Sequence, residues 1–156
     1  MRHSILALAL LTAVPTIAMA AKPNLGTVAE RSGYQQTGRY DEVIALCAAF
    51  QQVFPQSARC FDFGTSPQGR PMKALAVSTS GALTADDARA KGVPVVLAQG
   101  GIHAGEIDGK DAGFGLLRDL LQGKVGKGLL DKQVLLFVPV FNVDGRKARF
   151  EVATGS

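Results

Sequence analysis

The sequence predicts an α/β fold, a mixed sheet flanked by helices. Three observations carry that reading. Two apolar runs, Val95 to Ala98 and the stretch 134–141, have the length and continuity of strands. The stretch 40–54 keeps helical spacing of its apolar residues, and a turn cluster, Ser66-Pro67-Gln68-Gly69, separates two short apolar segments as in a hairpin. Helix, hairpin, strand, helix and strand in that order make an α/β pattern.

Residues 21–38 hold Pro, Gly, Ser and Thr without periodicity and read as an extended lead-in. In "YDEVIALCAAFQQVFP", Val43, Leu46, Cys47 and Phe50 fall on one helical face, Asp41 and Glu42 suit the positive N-terminal end, and Pro55 stops the helix. Cys60, Phe61 and Phe63 precede the hairpin turn, and Ala74 to Val77 follow it. "GALTADDARAKG" is a polar connection with room for one helical turn. Val95 to Ala98 then read as a strand covered on both faces. A helix follows from about Glu106 to Leu121, with Ile107, Phe114, Leu117 and Leu121 on its buried side. Gly109, Gly113 and Gly115 each cost about 1 kcal/mol relative to Ala inside a helix, which points to close backbone packing against a sheet. "KQVLLFVPVFNVDG" is a second apolar strand closed by a turn, and Pro139, which has no N–H to donate, belongs at its end or at an unpaired position.

The first residues read as a secretory signal, residues 1–20. Arg2 gives the positive start, Ile5 to Val14 the apolar core, and Ala18-Met19-Ala20 a small-residue cleavage site. That core is shorter than the about 20 apolar residues a membrane span needs. The expected mature chain starts near Ala21 and is secreted or periplasmic, with no membrane span after signal removal. Export permits a disulfide between Cys47 and Cys60, the only cysteines, and two separate buried thiols remain open on sequence alone. The formal charge of +4 falls to +3 once Arg2 is gone, and the basic residues are scattered, so nucleic acid is not an expected partner.

The chemistry concentrates in "VPVVLAQGGIHAGEIDGKDAG". Ligands of open α/β sheets bind beyond the carboxyl ends of strands, where Gly100 to Gly105 fall. The glycine spacing misses G-x-G-x-x-G, so a dinucleotide site is not indicated. No G-x-S-x-G elbow is present, and a nucleophilic triad would have to recruit His103, since the only other histidine is His3. His103 and Glu106, three residues apart, suit metal coordination. Imidazole nitrogen and carboxylate oxygen both reach zinc at about 2.0–2.2 Å. Spacing alone favours a purely structural pairing, a histidine capping a strand and a glutamate at a helix N-terminus.

"GTSPQGRPMKALAVS", "VPVVLAQGGIHAGEIDGKDAGFGLLRDL" and "VLLFVPVFNVDG", in this order, resemble consecutive blocks of the zinc carboxypeptidases, the carboxypeptidase A-like metallopeptidases. The likeness runs from about Tyr34 to Gly145 and is closest in style to secreted bacterial members. It implies a zinc-dependent hydrolysis of C-terminal peptide bonds, a single Zn2+ ion with His103 and Glu106 as its first two protein ligands, and peptide or protein C-termini as substrate. Asn142 and Asp144 are expected to form a turn. Gly105 stands where digestive members carry an arginine, so one contact to the peptide is missing. The resemblance places the second histidine ligand, the glutamate general base and the arginines for oxyanion and substrate beyond Ser156. Arg146 and Arg149 are read as exposed charges. Residues 39–156 are thus expected to be the N-terminal part, about half, of a catalytic domain. Such a piece should show little activity alone, hold zinc weakly without its third ligand, and leave the strands at 95–98 and 134–141 short of neighbours. Two other readings of the site are a zinc amidohydrolase acting on acyl-amino acids and a catalytically dead domain that binds peptides or a partner.

Overall fold

A computed structural model describes residues 22–145; residues 1–20, expected to be a secretory signal, and Arg146 and Arg149 lie outside them. The chain runs through α1 (Val28–Arg31), α2 (Tyr40–Val53), β1 (Ala58–Thr65), β2 (Pro71–Val77), α3 (Ala85–Lys91), β3 (Val95–Gln99), α4 (Asp108–Leu121), a 3-10 turn (Leu129–Asp131) and β4 (Val134–Val138). The four strands form one mixed sheet in the order β1-β2-β4-β3. β1 and β2 are antiparallel, as are β2 and β4, whereas β3 runs parallel to β4 with Leu97 opposite Leu136. Among the described residues no helix is long and apolar enough to cross a membrane.

α2 and α4 cover one face of this sheet. Val43, Leu46, Cys47 and Phe50 of α2 and Phe114 and Leu117 of α4 meet Leu75, Val77, Leu135 and Phe137 in a single buried cluster. Phe114 sits edge-on to Phe137, with ring centroids 5.5 Å apart, and tilted against Phe50 at 5.7 Å. The opposite face carries only a small cluster, in which Ala88 of α3 and Ala82 cover Ala76 and Val134. The two sides of β4 therefore alternate between the two clusters, as its continuous apolar run requires.

Cys47 and Cys60 form a disulfide between α2 and β1, their Cα atoms 5.3 Å apart, which closes the question that the sequence left open. α2 and the hairpin fall where their spacing puts them. Pro139 lies just past the last residue of β4, so its missing N–H costs the ladder nothing.

Four expectations need correction. The lead-in is not wholly extended: Thr27 and Glu30 exchange hydrogen bonds in a capping box that starts α1. The polar connection holds the two-turn α3, started by the Thr84 side chain and ended by Gly92 in the left-handed conformation. β3 is not covered on both faces. Among the described residues it is the last strand of the sheet, paired with β4 alone, and Val95, Val96 and Leu97 are 50, 43 and 57% exposed. Finally, α4 begins at Asp108 rather than Glu106, and of its expected buried side Phe114 and Leu117 are buried while Ile107 is exposed and Leu121 half-buried.

The glycines of α4 also divide. A Cβ on Gly113 would overlap the Phe137 ring, and one on Gly109 would touch the Gly100 Cα at 3.4 Å, so both allow the helix to lie close on the sheet. Gly115 faces away from the strands, with only the Arg118 guanidinium within 4 Å.

Candidate metal centre

The two glycines after β3 have a steric cause. The Gly100 amide donates to the Val138 carbonyl (2.8 Å), and the carbonyls of Gly100 and Gly101 accept from the amides of Phe141 and Asn142 (3.0 and 2.9 Å). The segments leaving β3 and β4 thus stay stitched together past the last strand residues. A Cβ on Gly100 would stand 2.8 Å from the Pro139 carbonyl oxygen, and one on Gly101 would stand 3.0 Å from the Val140 Cα. Gly101 also has φ +57, a conformation that favours glycine. Only residues without side chains fit this approach.

The stitched segment delivers His103 to a tight turn, closed by the Glu106 amide donating to the His103 carbonyl (3.1 Å). Within that turn His103 Nδ1 and Glu106 Oε1 are 2.7 Å apart, and the His103 amide approaches Glu106 Oε2 at 3.3 Å. The convergence comes from this turn and not from one face of a helix, because both residues precede α4. The two side chains are 80 and 55% exposed. The hydrogen bond from the His103 ring, reinforced by the His103 amide, holds the Glu106 carboxyl below its usual range. The pair is therefore a carboxylate and an imidazole presented together to solvent at the end of a parallel strand.

Two donors on a tetrahedral ion with bonds of about 2.0–2.1 Å are separated by about 3.3–3.4 Å. The 2.7 Å pair needs to open by only about 0.6 Å to seat such an ion, a displacement that rotation of two exposed side chains supplies. The pair fits two corners of a zinc site. Among the described residues no group of three or more His, Cys, Asp or Glu side chains completes one.

The turn after β4 has a structural task. The Asn142 side-chain oxygen accepts from the Gly145 amide at 2.9 Å. Asp144 accepts from the Ser66 hydroxyl (2.8 Å), the Gln68 amide (3.1 Å) and the Arg70 guanidinium, binding the hairpin turn to the segment after β4. Partial desolvation pushes the Asp144 carboxyl up, but these three donors together hold it below its ordinary value. The bonds from Ser66 and Arg70 to Asp144 escaped the sequence reading, which saw Ser66 only as a turn residue, since the partners lie 74 to 78 residues apart. Lys110 escaped it too: a lysine near a helix start reads as solvated, yet its side chain is fully buried between Glu42 and Asp111.

With this geometry established, the comparison with known families is decisive. The model of the family described as Zinc carboxypeptidase matches residues 43–154, which include both candidate ligands. The chain belongs to the zinc carboxypeptidase family. Carboxypeptidase A from Helicoverpa armigera has a similar structure, with a TM-score of 0.63 and 26% identity over 72% of this chain and 26% of that one. A metallo-carboxypeptidase from Burkholderia cenocepacia is likewise 26% identical, over 68% of this chain and 27% of that one, with a TM-score of 0.54. Bovine thrombin-activatable fibrinolysis inhibitor, solved in complex with tick carboxypeptidase inhibitor, shares the fold at 21% identity and a TM-score of 0.60, over 76% of this chain and 36% of that one. This zinc carboxypeptidase chain thus spans about a quarter to a third of the length of the solved relatives it matches. No curated protein matches it.

Proposed function

We propose that this chain provides the first two protein ligands of a carboxypeptidase zinc site, His103 through Nδ1 and Glu106 through its carboxylate, for hydrolysis of C-terminal peptide bonds. The observation that carries the reading is the 2.7 Å approach of the two side chains at the end of β3, inside the segment that the family model matches. The chemistry zinc supplies when bound is polarisation of the scissile carbonyl and activation of water near neutral pH. The chain's own contribution is orientation. Gly100 and Gly101 anchor the turn to the segment after β4, and His103 and Glu106 remain exposed at its tip.

The sequence holds no histidine besides His103 and His3, so on this reading the chain alone turns over little or no peptide. Its zinc affinity alone is orders of magnitude below that of a three-ligand site, since structural zinc sites draw on four ligands and catalytic ones on three. Residues 1–20 act as an export signal in this proposal, and the Cys47–Cys60 disulfide supports it, because such bonds persist in oxidising compartments.

Calorimetric titration of the full chain with Zn2+ tests the ligand assignment. A single weak site that His103→Ala and Glu106→Ala each abolish is expected. Unaltered binding in both variants overturns the assignment. For activity, the chain extended by a third ligand and a general base is expected to release C-terminal residues from peptides in a zinc-dependent manner. Release of acyl groups from acyl-amino acids in place of that activity would favour an amidohydrolase.

A further inference from the structure

α4 begins without a capping side chain. Ile107 occupies the N-cap position and has no oxygen to offer the first-turn amides. The first turn is held instead by Lys110, whose side chain is 0% exposed. Its Nζ lies 2.5 Å from Glu42 Oε2 on α2 and 2.5 Å from Asp111 Oδ1 on α4. The two carboxylates reach further. Glu42 Oε1 accepts from the Val28 amide at the start of α1 (2.5 Å), and Asp111 Oδ2 accepts from the Thr37 hydroxyl (2.6 Å). Gly38 leaves the space that the Glu42 side chain fills. A buried cation between two nearly buried anions is thus shared by α1, α2, α4 and the segment before α2.

We propose that Lys110 is a positioning residue for the His103–Glu106 donor pair. The turn carrying that pair has two ends. Its β3 end is fixed by the backbone bonds of Gly100 and Gly101. Its α4 end is fixed where Gly109 packs on Gly100 and Lys110 reaches back to Glu42. Lys110, in the first turn of α4, follows Glu106 in the chain and is held by Glu42 and Asp111 rather than by either donor. Its effect is to set where α4 starts, and so the distance from Glu106 to His103. Buried charges suit such a task because one alternative packing, a lysine left unpaired in the interior, is strongly disfavoured.

The inference rests on the zinc reading above for its metal readout, and a second readout separates the two. The test variant is Lys110→Met/Glu42→Gln, which removes the cation and one anion while keeping shape and an acceptor for Val28. Lys73→Met/Asp62→Asn, a salt bridge on the β1–β2 hairpin, is the control. In the full chain, Zn2+ affinity falls on the order of tenfold or more in the first variant. The ring nitrogen resonances of His103 lose the signature of an Nδ1 hydrogen bond, and the control matches wild type in both. A folded first variant with wild-type affinity and unchanged ring resonances overturns the proposal. Should that variant not fold, Thr37→Val, which removes the hydroxyl that Asp111 accepts from, decides by the same readouts, and no change in either overturns it. If wild type binds no zinc, the ligand assignment fails while the His103 resonances still judge Lys110.

Discussion

The Phe137 ring occupies the position that a side chain on Gly113 would need. This pairing lets α4 sit low on β4 and brings Phe114 edge-on to the same ring. Gly113→Ala is expected to destabilise by about 1–3 kcal/mol, the usual cost of overpacking a core. Gly115→Ala, two residues on and facing away from the sheet, is expected to stabilise by up to about 1 kcal/mol through helix propensity. Urea unfolding of both variants checks the opposite signs.

The Cys47–Cys60 crosslink closes a sequence separation of 13 residues. Its loss is expected to cost about 3 kcal/mol. Urea midpoints of the oxidised chain and of Cys47→Ala/Cys60→Ala should differ accordingly. Equal midpoints would mean that the bond contributes nothing to stability.

Glu30 meets Arg118 at 2.7 Å and caps α1. The Arg118 hydrogen bond outweighs partial desolvation and, with the Thr27 amide, holds its carboxyl down to about 2 from 4.5. A carboxyl depressed on folding adds stability that is present above the unfolded value and is lost as pH falls from about 4.5 through about 2. Because the pair is partly solvated, the expected amount is about 1 kcal/mol or less. Glu30→Gln should be less stable than wild type at pH 7, and most of the gap should be gone at pH 2. A gap undiminished at pH 2 would assign the loss to something other than charge.

How far these features were legible follows from their range along the chain. α2 and the hairpin show in the sequence because their signals are local: apolar spacing in one, a Ser-Pro-Gln-Gly turn in the other. α1 and α3 had local signals as well, Thr27 with Glu30 and Thr84 with Asp87, though each helix was too short to show a period. The donor pair was visible as two residues of the right chemistry, but the turn that joins them was not, because it depends on Gly100 and Gly101 meeting the chain after β4. Lys110 could not be read at all. Its burial is decided by Glu42, 68 residues earlier.

Among the described residues β3 is an edge strand, with Val95, Val96 and Leu97 exposed. Unpaired, apolar strand edges template association. Light scattering of the full chain at micromolar concentration should show association that grows with concentration, and Leu97→Lys should reduce it. A cooperative thermal transition from a monomer at those concentrations would contradict this.

The proposed zinc site requires His103 and Glu106 to share one metal ion. Crystals of the full chain grown with Zn2+, measured at the zinc absorption edge, test it most directly. An anomalous peak within about 2.2 Å of both His103 Nδ1 and a Glu106 carboxylate oxygen is expected. A zinc peak bound elsewhere, with the two side chains still hydrogen-bonded to each other, would contradict it.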